Sequence, residues 1–132
     1  MKIKNLYFSP VKSLSFNNVD NLEIIKNIGI KNDRIFAFTN NLNLKDIELI
    51  KNNPLKREIY KFLSLKKYPE LNQYNFLLED NFLILEFENK IILKTDIDNQ
   101  HEVKILCSKL EDILPNINKI NLLKDRVNPF FD

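Results

Sequence analysis

The sequence is poor in the residues on which common binding and catalytic motifs depend: its 132 residues include one glycine, one cysteine and one histidine. A glycine-rich phosphate loop needs several glycines, and zinc or nucleophile sites need clustered cysteines and histidines, so none of these motifs is present. The single cysteine, Cys107, excludes an internal disulfide and is typical of a reducing compartment. We therefore expect a cytoplasmic protein in which Cys107 is a small core residue.

Long apolar segments and segregated charge are missing as well. No apolar run approaches the length needed to cross a bilayer, and no signal peptide opens the chain. Twenty lysines and arginines are interleaved with eighteen acidic residues, which gives a net charge of +2. A nucleic-acid or membrane-surface binder usually gathers its positive charge on one face. We therefore expect neither a nucleic-acid nor a membrane partner.

The sequence does contain many short apolar runs separated by polar turns. A chain of this length with 44% hydrophobic residues fits a single domain, residues 1–132, with a packed core. The apolar runs predict strands over 2–8, 19–28 and 34–39 and a three-stranded meander over 74–95. We therefore predict a mainly β fold, a β-barrel-like antiparallel meander, with α+β as the alternative label.

The apolar spacing changes over 44–61, where apolar residues recur at intervals of three to five. This spacing predicts a helical insertion that holds the main helix of the protein. Within the meander, the nearly continuous apolar run over 82–87 predicts a strand that is buried on both faces. After the meander, we predict a strand over 103–106, a helical turn over 109–114 and a last strand over 117–123.

Two strand-to-loop junctions carry cations and small polar groups. The first is Ser-Pro-Val-Lys-Ser-Leu at positions 9–14, whose proline cannot donate to a ladder and should end the strand. The second is Gly-Ile-Lys-Asn-Asp-Arg at positions 29–34, which holds the only glycine, where a positive φ is expected, and ends in a planar guanidinium. If the two junctions meet in space, Lys12, Ser13 and Arg34 form a compact anion site.

A plainer interpretation of the same residues stays open. Lys12 and Arg34 carry charges of the kind that most often lie in solvent, and Asp33 is a natural partner for a neighbouring cation. We expect Asp33 to orient Arg34 or to cap a turn rather than to act as an acid catalyst.

The two junctions resemble a known family. Pro-Val-Lys-Ser-Leu after an opening strand, followed one strand later by Gly-x-x-x-Asp-Arg, is similar to the N-terminal β-barrel domain of MOSC proteins. These are relatives of the C-terminal part of molybdenum cofactor sulfurase and include the mitochondrial amidoxime reducing component. The family's Thr-x-Arg-x-x-Pro-x-Leu is matched at 64–71, with Ser64 for Thr and Lys66 for Arg. The chain departs from the family in two places: it has no glycine over 14–17, and it has an apparent insertion over 43–61.

The resemblance implies a role in holding the molybdenum cofactor. Lys12, Ser13 and Arg34 would contact the pterin phosphate, with Ser64 and Lys66 as weaker contacts because lysine lacks the bidentate fork of arginine. The cysteine that ligates molybdenum would lie in a MOSC domain downstream, so we expect no catalytic residue and no metal ligand within this chain. On this interpretation the chain is an isolated or truncated domain of an oxidoreductase or a sulfur-carrier enzyme. The downstream domain and a redox partner would be its partners.

Two other functions remain open from the sequence. One is a non-catalytic module that kept the barrel and binds a small ligand or another protein. The other is a small barrel for single-stranded nucleic acid, against which the mixed charge argues. Five phenylalanines are expected in the core rather than on a base-stacking surface: Phe8, Phe36, Phe38, Phe82 and Phe87.

Overall fold

The computed structural model describes residues 2–117 and 119–131, and strands are its commonest regular element. The strands of this described part are β1 Leu6–Phe8, β2 Asn17–Val19, β3 Ile24–Ile25, β4 Gly29–Ile30, β5 Phe36–Asn40, β6 Tyr74–Glu79, β7 Phe82–Phe87, β8 Lys90–Asp96 and β9 Ile120–Lys124. The helices are α1 Leu44–Asn52 and α2 Gln100–Ile113, with 3-10 helices at Pro54–Ile59 and Pro69–Gln73. The strands pair antiparallel throughout, so the mainly β prediction is confirmed and the α+β label also fits.

The strands do not close into a barrel within the described residues. They form three two-stranded sheets, β1–β2, β3–β4 and β5–β9, and one three-stranded sheet in the order β6-β7-β8. Closure requires every strand to pair along both edges, and β1 to β4 are only two or three residues long. The β-barrel-like part of the prediction is therefore corrected to a set of small packed sheets.

The meander over 74–95 is present as predicted, with β7 in its centre. Leu83, Ile84 and Leu85 are consecutive and all buried. Because successive side chains of a strand point to opposite faces, β7 is covered on both sides, which confirms the prediction for this run. The last predicted strand is observed at Ile120–Lys124, and Asn118 lies outside the described residues.

The helical insertion over 44–61 is confirmed as α1 followed by the 3-10 helix Pro54–Ile59. Asn43 caps α1, because its side chain accepts a hydrogen bond from the backbone N–H of Asp46 at 2.8 Å. Pro54 stands at the start of the 3-10 helix, a position where its missing N–H costs nothing.

The strand predicted over 103–106 is wrong, because these residues lie inside α2. Asn99 caps this helix by accepting from the N–H groups of His101 and Glu102, and Leu106 and Leu110 lie one turn apart on its buried face. Taken alone, the four residues Val-Lys-Ile-Leu at 103–106 resemble a strand. The helical spacing of the apolar residues is visible only over the full length of α2. At 14 residues against nine, α2 rather than the insertion is the main helix.

The core lies between the meander, α2 and the β5–β9 sheet. Phe36 and Phe38 are fully buried, as predicted, and the centre of the Phe38 ring lies 5.4 Å from that of Phe76. The other phenylalanines predicted in the core are only partly buried: Phe8, Phe82 and Phe87. Cys107 packs in the same cluster, which confirms its core position. Burial raises the pKa of the Cys107 thiol from 9.0 to about 11.

We expect Cys107 to resist alkylation in the folded protein. The thiolate is the reactive form, and the raised pKa leaves roughly a hundredfold less of it at pH 8.5 than in the unfolded chain. Iodoacetamide should therefore react at least about 100-fold more slowly in buffer than in 8 M urea, as followed by intact mass. Similar rates in the two solvents would contradict the buried position.

Candidate anion-binding site

The two junctions meet through backbone hydrogen bonds. The N–H of Arg34 donates to the carbonyl of Ser9 at 2.6 Å, and the N–H of Phe36 donates to the carbonyl of Pro10 at 3.0 Å. In return, the N–H of Ser9 donates to the carboxylate of Asp33 at 3.0 Å. The segment after β1 and the segment before β5 are thus held side by side. The two junctions therefore meet in space, which the predicted anion site requires.

Asp33 also forms an ion pair with Arg34, its neighbour in the second junction. Its second carboxylate oxygen accepts from the guanidinium of Arg34 at 2.7 Å, and the two side chains are 7% and 24% exposed. Asp33 therefore orients Arg34, as predicted. Arg34 also has a φ of 51°, in the left-handed region that side chains with a Cβ seldom adopt, so the packing around it must compensate for backbone strain.

The loop after Lys12 takes the shape that a glycine would favour. Ser13 and Ser15 both have positive φ, 57° and 27°, a backbone conformation that glycine adopts most readily. The buried hydroxyl of Ser9 lies 2.6 Å from the carbonyl of Val11 and 2.5 Å from that of Leu14. A hydroxyl has one proton, so these two carbonyls share a single donor. The contacts hold the loop in its compact form.

A third segment reaches this loop from 50 residues away. The N–H of Leu65 donates to the carbonyl of Ser13 at 3.1 Å. Leu65 stands between Ser64 and Lys66, the two weaker site candidates, so this bond places both of them beside the 9–14 junction. The hydroxyl of Ser64 accepts from the N–H of Lys67 at 3.3 Å and closes the turn that follows.

An open pocket of about 600 Å³ lies where these segments meet, and we call it the lysine pocket. Lysines, serines and aromatic residues line it: Lys12, Ser13, Tyr60, Lys61, Phe62, Ser64, Lys66 and Lys67. Four of the five predicted site residues are thus brought together. Arg34 is not among the lining residues and instead pairs with Asp33.

The lysine pocket is strongly cationic. Four lysines line it, and no carboxylate occurs among its lining residues in the described part of the chain. Lys12 is fixed in place, since its Nζ donates to the carbonyl of Phe131 at 2.9 Å and lies 5.8 Å from the ring centre of Phe62. Several positive charges around one concave surface favour a multiply charged anion such as a phosphate.

The sequence analysis did not include Lys61 and Lys67 among the candidate site residues. Phe62 bridges to Thr39 of β5, and this contact brings Lys61 to the pocket. The sequence has a basic cluster at Lys61, Lys66 and Lys67. Because this cluster is far from Lys12 along the chain, sequence spacing did not predict that the four lysines line one pocket.

A second pocket, of about 610 Å³, adjoins the lysine pocket, and we call it the apolar pocket. Lys12, Tyr60 and Phe62 line both. Most of its other lining residues are apolar, and several come from the 3-10 helix Pro54–Ile59 and from the segment 127–131. Arg57 fixes these two segments together, because its guanidinium donates to the carbonyl of Asn128 and to the carboxylate of Asp125.

The donors at the lysine pocket fit a phosphate but not a metal ion. Ammonium groups and hydroxyls are suitable for phosphate oxygens, whereas molybdenum needs a thiolate or a similar ligand. Cys107 is buried with a raised pKa and packs in the core cluster. In the described part of the chain, no three acidic, histidine or cysteine side chains are placed to hold a metal ion.

Neither helix of the described chain is long and apolar enough to cross a membrane. In comparisons with known proteins, no family model, curated protein or solved structure matches the chain.

Proposed function

We propose that this chain is the N-terminal β domain of a MOSC-type molybdenum cofactor protein that holds the pterin phosphate in the lysine pocket. The observation that carries the proposal is the convergence of three separate motif segments. Lys12 and Ser13 from the first share one pocket with Ser64 and Lys66 from the third, and the second is bonded to the first. Arg34 lies beside the 9–14 junction, where Asp33 balances its charge.

The chain's own residues bind and orient the phosphate. Charge-assisted hydrogen bonds contribute roughly 1.5–3 kcal/mol each when sheltered, and ion pairs open to solvent only about 0–1 kcal/mol. Lys66 and Lys67 are exposed, so the open pocket by itself holds a phosphate weakly. A downstream domain that covers the pocket would exclude water and strengthen every one of these contacts.

The cofactor would supply redox or sulfur-transfer chemistry at its metal, and the metal-binding cysteine would come from the downstream MOSC domain. The complete protein would then be a cytoplasmic oxidoreductase or sulfur-carrier enzyme that works with a redox partner. This chain would contribute phosphate contacts but no catalytic residue.

We expect residues 1–132 to bind the cofactor weakly and to lack reductase activity, because the site is open and has no metal ligand. The test is calorimetric titration with the cofactor, followed by a turnover assay with an N-hydroxylated substrate. The same chain joined to a MOSC domain should bind tightly, and Arg34→Ala in that longer protein should weaken cofactor retention. Tight binding with turnover by residues 1–132 alone would falsify the proposal.

A non-catalytic module for a small ligand is the second candidate, and the adjoining apolar pocket favours it. A cofactor phosphate needs only the lysine pocket, whereas a module could use both pockets. The two candidates differ in one measurement: the complete natural protein of the first kind contains molybdenum and pterin in equal amounts, and that of the second contains neither.

A further inference from the structure

The lysine pocket and the apolar pocket form one surface with a charged end and an apolar end. Lys12, Tyr60 and Phe62 line both, so these three side chains form the wall that the two pockets share. Lys12 stands at the boundary itself, held between the carbonyl of Phe131 and the ring of Phe62. A ligand that lies across these three side chains would touch both ends.

The apolar end exposes side chains that usually prefer to be covered. Leu55 is 94% exposed, Val127 is 70% exposed and Phe131 is 52% exposed, and all three line the apolar pocket. Scattered apolar residues are ordinary on a protein surface, but a concave group beside a cationic pocket is typical of a ligand site. The arrangement complements a molecule with an anionic head and an apolar body.

We infer that this joined groove binds a small amphipathic organophosphate, with its phosphate at the lysines and its apolar body against Leu55, Val127 and Phe131. The inference rests on the proposed phosphate site and adds a ligand class to it. Each pocket has a volume of about 600 Å³, which is in the range of small-molecule sites.

The probes are 1-naphthyl phosphate, inorganic phosphate and 1-naphthol, each titrated into the whole chain by calorimetry at low salt. We expect naphthyl phosphate to bind at least about tenfold more tightly than phosphate, because the ring removes apolar surface from water. Naphthol without the phosphate should bind more weakly than naphthyl phosphate. Raising the salt concentration should weaken both phosphates, since the lysines are exposed to screening.

Two variants separate the ends of the groove. Leu55→Asn with Val127→Asn should remove the tenfold advantage of naphthyl phosphate and leave phosphate binding unchanged. Lys67→Glu should weaken both phosphates by about tenfold or more, because it reverses a charge at the head site. The matched controls are Leu44→Asn and Lys104→Glu, which change exposed residues on α1 and α2 outside both pockets.

The outcomes distinguish the two proposals. If phosphate binds in a manner sensitive to Lys67→Glu but naphthyl phosphate binds no more tightly, the phosphate site stands and the joined groove is overturned. If neither phosphate binds, both proposals fail. If naphthyl phosphate does not bind but the chain cosediments with phosphatidylglycerol vesicles in a manner that depends on Leu55, the surface is a membrane contact and the inference is likewise overturned.

Discussion

Arg57→Ala should lower the free energy of unfolding by about 3–5 kcal/mol, the usual cost of removing one member of a buried ion pair. Arg57 is only 7% exposed, and its guanidinium makes three contacts. It donates to the carbonyl of Ile50 at 2.9 Å, to that of Asn128 at 2.5 Å and to the carboxylate of Asp125 at 2.6 Å. It also stacks on Phe130, 4.2 Å from the ring centre. The alanine variant leaves three acceptors without their donor.

Urea unfolding followed by circular dichroism measures this loss. Lys56→Ala is the matched control, because its side chain is exposed on the same 3-10 helix, and it should change stability by less than about 0.5 kcal/mol. Arg57→Lys keeps the charge but loses the fork of donors, so it should fall between the two. Equal midpoints for Arg57→Ala and Lys56→Ala would contradict a structural role for Arg57.

The pH dependence gives an independent check of the same pair. Burial alone would raise the pKa of Asp125, but hydrogen bonds from the N–H of Asn128 and from Arg57 outweigh it and hold the pKa below the usual 3.8. A carboxyl group with a lowered folded-state pKa stabilises the protein above its unfolded-state pKa, and this contribution is lost as the pH falls through the folded-state value. The stability difference between wild type and Arg57→Ala should therefore shrink from pH 5 towards pH 3.

The elements that could be predicted are those whose pattern is complete within a short window. The meander over 74–95 has apolar runs bounded by Asp80 and Asn89, both of which adopt the positive φ of a turn. Gly29 likewise has the positive φ, 114°, expected of the only glycine. Among the described residues, five of the eleven other positions with positive φ are asparagines, Asn27 and Asn41 among them, a signal that the Asn-rich composition already contained.

The elements that could not be predicted depend on length or on distant partners. The period of α2 is clear only from Asn99 to Leu110, so a four-residue window gave a strand in its place. The expected barrel is not formed because β1 to β4 are only two or three residues long and pair in separate two-stranded sheets. The pairing of β5 with β9, some 80 residues later, could not be predicted either, because no local pattern specifies that partner.

The candidate site, too, could be predicted only in part. Its residue types could be chosen from motifs at the two junctions and the 64–71 segment. Their meeting depends on the backbone bond from Leu65 to Ser13 and on the bridge from Phe62 to Thr39, which sequence spacing does not reveal. Arg34 was expected as an anion ligand, but in the structure its guanidinium pairs with the adjacent carboxylate of Asp33. The predicted phosphate contact from Arg34 stays a prediction.

Asp33→Ala should cost about 3 kcal/mol and also weaken phosphate binding, although Asp33 does not line the lysine pocket. The substitution leaves the N–H of buried Ser9 without its acceptor and the guanidinium of Arg34 without its carboxylate. The loop over 9–14 then loses one of the bonds that hold it against the chain before β5. Ser13 and Lys12 should become more mobile, and phosphate binding by calorimetry should fall severalfold under conditions in which the variant is still folded.

A double-mutant cycle separates the two parts of that cost. If the loss comes mainly from the uncompensated charge of Arg34, Asp33→Ala with Arg34→Ala should be less destabilising than the sum of the single changes, by about 1 kcal/mol or more. The control is Asp20→Ala, which removes an exposed carboxylate directly after β2. This variant should leave stability and phosphate binding unchanged. Asp33→Asn keeps an oxygen for the N–H of Ser9 but removes the ion pair, so it should retain more of the loop and more phosphate binding than Asp33→Ala. Additive losses, with phosphate binding equal to wild type in Asp33→Ala, would mean that the ion pair and the lysine pocket are independent.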